Sequence, residues 1–238
     1  MSGTATEKAE GRLANHILST YNSMRLGMGL LAVATPVAIW AWGCFWGVPW
    51  QDSISAYYFA PIADSPTKFS TYPTRVLFGG ILWAIGAFLI MYKGYSKAEN
   101  RILNLAGCSA IMVAMNPMYA QKGYIPCSNY LHYSFAVLLF VCMAITAICF
   151  GKDTLPSIED KKVRRRYSAF YTTFAHLMWV FIGLAIAVKL IWNNSGHWVF
   201  VLEALGIWAF GAYWLTKCHE LRDTSAKRIA EIERQLKS

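Results

Sequence analysis

Six long apolar stretches separated by short polar segments organise the chain. They run near Gly27–Gly47, Arg75–Tyr92, Ile102–Ala120, Leu131–Phe150, Ser168–Ile191 and Trp198–Thr216. Each is long enough to cross a hydrocarbon core of about 30 Å as a helix. They are too continuously apolar for the alternating strands of a membrane barrel. The pattern predicts an all-α polytopic membrane protein, a six-helix transmembrane bundle over residues 27–216.

The flanks differ in kind. In residues 1–26, Leu13, Ile17, Leu18, Tyr21 and Met24 recur at near-helical spacing, which predicts an amphipathic helix on the cytoplasmic surface. That stretch carries acidic residues and no short apolar core, so it does not read as a cleavable signal. Residues 217–238 read as a charged helical tail. Asp223 with Lys227 and Glu233 with Lys237 are favourably spaced there.

Composition sharpens the class. Hydrophobic residues make up 56% of the chain and charged residues 15%, against about 25% charged in a soluble domain. This excludes a disordered tail, a collagen-like chain and an ordinary soluble enzyme. The net charge of +9 would suit nucleic-acid binding. Its distribution says otherwise. With the N-terminus inside, 18 of the 22 Lys and Arg residues fall on the cytoplasmic side, as the positive-inside rule requires. Lys68, Arg75, Lys122 and Lys189 are the exceptions. Both termini are therefore expected in the cytoplasm, in a cell membrane, with membrane lipids and not nucleic acid as partners. The run Lys161–Arg166 fits the same account, with anionic lipid as a further contact.

No CxxC pair or zinc-finger spacing occurs among the six cysteines. Cys44 and Cys127 both fall near the outer face, where a bridge between them stays open. Gly79, Gly80, Gly183 and Gly206 permit close helix contact, within one chain or in a homo-oligomer.

Candidate chemistry gathers in the outer half. Polar groups cost free energy in a bilayer and mark cavities or partners. Asp52, Ser53, Ser55, Arg75, Asn116, His132, Lys189, His197 and Glu203 share that half; in the inner half His176 stands alone. The proline-punctuated segment Val48–Thr74 carries several of them. The expectation is a polar, water-accessible pocket lined by spans two to six, with Arg75 or Lys189 paired to Glu203. Ser53, Ser55, His132 and Glu203 are the catalytic candidates; Asp52, Arg75, Asn116, Lys189 and His197 are the binding candidates. Three chemistries fit: metal-assisted hydrolysis using His132, His197 and Asp52 or Glu203, capture of a lipid phosphate by Arg75 and Lys189, and proton relay by Glu203 and His132. HExxH, GxSxG and P-loop motifs are absent, and no cofactor or resident metal is implied.

Ser53-Ile54-Ser55 after span one, Leu77-Phe78-Gly79 opening span two, Asn104 to Gly107 opening span three, Asn116 ending it and His132 opening span four follow a familiar order. From Asp52 to Lys217 the chain resembles the six-span DRAM-like proteins, which include autophagy modulators and GPI-lipid remodelling factors. It resembles still more a related bacterial six-span family that lacks an assigned reaction. The resemblance implies a lipid-linked role. Where that family often carries an acid beside Arg75, this chain has Val76, which weakens a hydrolase reading. Seven-span ceramidase-like hydrolases use Ser, Asp and three His, but the paired His of their last span is missing here.

The sequence thus predicts an outward-facing polar pocket that binds or remodels a lipid headgroup or small amphiphile. A proton-coupled secondary transporter and a non-catalytic membrane scaffold are the alternatives. Whether a reaction is catalysed stays open at this stage. The orientation is directly testable. A phosphatase that folds only outside the cytoplasm should be inactive when fused to the C-terminus and active when inserted within residues 48–74; the reverse pattern refutes it.

Overall fold

A computed structural model describes residues 3–62, 72–118, 127–192 and 196–237, and the side chains among them except those of 3–10, 14, 15, 127, 128 and 222–237. The described residues form six long helices and no strand. They are α1 (Gly3–Phe45), α2 (Thr74–Met91), α3 (Lys97–Met115), α4 (Cys127–Ile145), α5 (Lys161–Ile191) and α6 (Trp198–Lys237). Each helix packs on the next, and α6 returns to α1, so the bundle closes as a ring. The bundle has two chemically distinct ends, referred to below by Ser53 and by Arg25.

Five helices are long and apolar enough to cross a membrane. The exposed face of α5 is compatible with lipid as its solvent. Only 17% of its most apolar window is buried, and Val180, Leu184, Leu190 and Ile191 stand exposed. A water-soluble protein rarely tolerates so continuous an apolar patch. The exception is α3, which the sequence counted as a span. It carries Glu99, Asn100, Arg101, Asn104 and Ser109. It sits between α2 and α4, and Glu99 and Ser109 are buried. A helix screened by its neighbours needs less apolar surface than one that faces lipid.

Local chemistry fixes the helix ends. Ser96 Oγ accepts the Glu99 amide at 3.1 Å, and the Glu99 carboxylate accepts the Tyr95 amide at 2.6 Å. Two orphan donors at the start of α3 are satisfied in this way, much as in a capping box. Asp160 caps α5 through the amides of Lys162 and Val163. Pro36 interrupts the bonding of α1. In that loosened turn the Trp208 indole of α6 donates to the Val33 carbonyl at 3.0 Å. The stretch 1–26, expected as a separate surface helix, shows no break from the first span: α1 is continuous from Gly3 to Phe45. The tail is likewise a direct extension of α6.

The close helix crossings fall at other glycines than those expected. A Cβ on Gly107 would lie 2.6 Å from the Gly86 carbonyl oxygen, and one on Gly86 would lie 2.8 Å from the Gly107 oxygen. Gly79, Gly80 and Gly183 face open space, and a Cβ on Gly206 would lie 3.3 Å from the end of the Ile182 side chain, with no backbone in close contact. Backbone contact between α2 and α3 therefore depends on Gly86 and Gly107.

The Arg25 end holds a buried polar network that the sequence did not reveal. Arg25 donates to the Tyr92 hydroxyl at 3.0 and 2.6 Å and to the Lys217 carbonyl at 2.9 Å. Lys217 Nζ reaches Thr154 at 2.8 Å and the Glu220 carboxylate at 3.4 Å. Thr154 and Tyr171 donate to the same carboxylate. Arg25, Lys217 and Glu220 are all buried. His176, expected as the lone ionisable group of this half, is exposed and bonds its own helix at the Thr172 carbonyl.

A buried ion pair with one partner removed leaves an uncompensated charge. Glu220→Leu should therefore destabilise the protein by about 3 kcal/mol, read as a lowered unfolding midpoint in detergent. The double variant Lys217→Met, Glu220→Leu should recover much of that loss. Equal loss in both variants would show that the pair contributes through packing alone.

Candidate functional site

The site is built on a chain segment that leaves α1 and turns back into the bundle. The turn is made at Gly47, whose φ of 71° suits a residue without a side chain. Ser53, Ile54, Ala56, Tyr57 and Ala60 are then buried, with a 3-10 turn over Ser55–Phe59. Irregular backbone at this depth needs a partner for each polar group. Ile54 N–H donates to Glu203 Oε2 at 2.7 Å, and Ala56 N–H donates to Ser53 Oγ at 3.1 Å. The amide of Phe200, at the start of α6, bonds the Asp52 carbonyl at 2.8 Å. Thr74 Oγ1 donates to the Tyr57 carbonyl.

His132, 1% exposed, stands behind this turn at the start of α4. Its Nδ1 lies 2.8 Å from the Asn116 carbonyl oxygen, and its Nε2 lies 3.0 Å from Ser55 Oγ. A carbonyl can only accept, so Nδ1 carries a proton. In the neutral ring Nε2 is then the acceptor, and the Ser55 hydroxyl donates to it. Asn116 thus takes part through its main chain. It ends α3, and Pro117, which has no amide hydrogen, follows it.

A cavity of about 540 Å³ opens beside Ser55. All six helices contribute to its wall, α1 through Thr35. The wall is apolar over most of its length, with Leu82, Ile85, Val113, Phe140, Ile182 and Ile207 among its residues. Polar side chains cap one end: Ser53, Ser55, Lys189 and Glu203. Ala136 and Ala185 keep the wall open between α4 and α5. At the other end lie Met143 and Phe210, and one turn further along α6 the buried Tyr213 and Trp214 close the bundle.

The structure therefore redistributes the candidates. Ser53, Ser55, Lys189 and Glu203 line the cavity, and His132 is joined to it through Ser55. The Glu203–Arg75 pair does not form: Glu203 serves the backbone of Ile54. The Arg75 guanidinium instead lies 4.8, 4.6 and 5.4 Å from the ring centres of Tyr58, Phe59 and Tyr72, where cation–π attraction replaces a counter-ion. Lys189 pairs with Asp52 at 3.3 Å, with both side chains nearly half exposed; such a pair contributes about 0–1 kcal/mol. His197 bonds the Gln51 carbonyl at 3.1 Å and stacks on Trp50 at 4.3 Å. With His132 held by Asn116 and Ser55, the two histidines do not converge on one ligand. Among the described residues no three His, Cys, Asp or Glu side chains form a metal-binding group. The pocket expected to be polar, water-accessible and lined by spans two to six is apolar over most of its wall and takes Thr35 from α1 as well. Thr35, Ala136 and Ala185 went unnoticed, because small residues within a span carry no chemical signal. Cys44 is a free, exposed thiol; the side chain of Cys127 lies outside the described residues.

No family model, curated protein or solved structure matches the chain.

The bond from Ile54 to Glu203 ties the returning segment to α6. Glu203→Ala orphans a buried amide, which should cost about 1–3 kcal/mol. It should also free residues 53–59 for hydrogen exchange while α2 and α3 stay protected; unchanged exchange in that segment would refute the tie.

Proposed function

We propose that this integral membrane protein binds a lipid or small amphiphile, with the acyl chain in the apolar cavity and the head group at the Ser53–Ser55 cap. One observation carries the reading: the wall is mostly apolar, and its charged side chains, Lys189 and Glu203, lie with Ser53 and Ser55 at the end where the returning segment meets α6. That division matches an amphiphile, whose tail gains by leaving water and whose head group must keep its hydrogen bonds. The volume lies within the range of small-ligand sites. The charge bias along the sequence supports a cap toward the outer leaflet with both termini in the cytoplasm. A place beside the DRAM-like and GPI-lipid remodelling proteins is part of the same proposal and agrees with it in kind.

The transporter alternative needs a polar path through the bundle. Along α6 the succession is Glu203 and Phe210 on the cavity, then buried Tyr213 and Trp214, then Lys217 and Glu220 in the opposite network. An aromatic layer separates the two polar sites, which favours binding over passage.

The test is to block the cavity. Ala185→Trp, on its wall, should expel co-purified lipid, measured by mass spectrometry of organic extracts. The unfolding midpoint should fall by no more than overpacking produces, about 1–3 kcal/mol. A folded variant with an unchanged lipid complement, or a wild-type protein that carries no amphiphile, overturns the reading.

A further inference from the structure

Resting on that reading of the cavity, we propose that Ser55 and His132 are a nucleophile and general base that transfer the acyl group of a long-chain carboxylic ester held in it. The placement is specific. Ser55 lies on the cavity wall, while His132, buried and off the wall, lies behind it. The order from ligand space outward is cavity, hydroxyl, imidazole and main-chain carbonyl. This is the arrangement an activated serine requires: a base in hydrogen-bond reach, itself oriented by a third group. Here the third group is the Asn116 carbonyl, which fixes the tautomer that leaves Nε2 free to accept. Asn116 also ends the 19-residue helix α3. The negative end of that helix dipole therefore faces the imidazolium that forms when Nε2 takes a proton.

The step balances without further reagents. Ser55 Oγ bonds to the ester carbonyl carbon as its proton passes to His132 Nε2. The carbon–oxygen bond to the alcohol breaks, and the alcohol leaves with that proton. Water, or a second alcohol, then attacks the acyl-serine with His132 again as base, which returns the Ser55 hydroxyl and releases acid or a new ester. Lys189 is the one cation among the described wall residues. Ser53 Oγ already accepts the Ala56 amide, so Ser55 is the serine poised to react.

A purely structural hydrogen bond from Ser55 to His132 would fix the turn and give no reactivity, and the two accounts separate experimentally. The full-length protein in detergent is treated with a long-chain alkyl fluorophosphonate, and adducts are read by intact mass and peptide mapping. The expected result is one phosphonyl adduct on Ser55. It should be absent in Ser55→Ala and form at least about 100-fold more slowly in His132→Gln, the usual worth of a positioned base. Co-purified lipid is measured on the same samples. If wild-type protein that carries lipid gives no Ser55 adduct, the chemistry is overturned and the binding site stands. If His132→Gln labels at the wild-type rate, His132 is not the base and the dyad is overturned. If neither lipid nor adduct is found, both readings fall together. Should His132→Gln fail to fold, Asn116→Pro, which alters the end of α3, is the second variant, with slowed labelling of a folded protein expected and an unchanged rate again overturning the dyad.

Discussion

A segment of irregular backbone enters the Ser53 end of this bundle, and much else in the structure follows from the need to satisfy its polar groups. In lipid, an unpaired amide or carbonyl has no water to fall back on. The chain meets that constraint with side chains from α2, α6 and the segment itself. Glu203 takes the Ile54 amide, Ser53 takes Ala56 and Thr74 takes the Tyr57 carbonyl. Glu203 ties the segment to α6 and Thr74 ties it to α2, while the bond between Ser53 and Ala56 closes the turn internally. His132 of α4 meets Ser55, so the turn that presents Ser55 is held by α2, α4 and α6 together. A flexible loop could not keep a hydroxyl in register with an imidazole on another helix.

The same constraint divides the bundle into layers. Polar groups that hold backbone or one another lie at the two ends, and apolar side chains fill the middle. The cavity occupies the upper part of that middle, where Ala136 and Ala185 leave space. Below it, Tyr92, Tyr213 and Trp214 pack edge to face, with geometry that favours aromatic pairs. This layer lets the Arg25 network be a rigid clamp of α1, α5 and α6 without opening a route across the bundle. The proposed binding at one end and bracing at the other can then coexist in one small domain.

Five of the spans were legible because a helix that faces lipid needs a continuous apolar run; α3 is a helix near its expected position but is not apolar enough to count with them. The grouping of polar residues at the Ser53 end was legible for the same energetic reason: such residues are costly in a bilayer and so are few. The partners were not. Opposite charges at one depth suggested Glu203 with Arg75, yet a carboxylate serves a buried amide equally well, and a guanidinium can rest among aromatic rings. The Arg25 network escaped because Arg25, Lys217 and Glu220 flank the apolar runs. In sequence they read as solvated ends; in the fold the long α1 and α6 carry them into mutual contact. The cavity escaped because a void is a property of side-chain volumes across several helices, which no single run records.

The absence of an acid next to Arg75 bears on chemistry differently once the geometry is known. In sequence, Val76 counted against hydrolysis, on the premise that an acid is needed there. In the structure Val76 is 81% exposed, directed away from the cavity. Its neighbour Arg75 is held by aromatic rings and takes no part in the cap. An acid at position 76 would therefore stand outside the site that this chain builds. What orients the imidazole here is a carbonyl at the end of α3, a group invisible to any comparison of side chains. The proposed reactive arrangement, if judged by side-chain type alone, looks incomplete; judged by which atoms donate and accept, Ser55, His132 and the Asn116 carbonyl already form a connected chain from the cavity to the main chain.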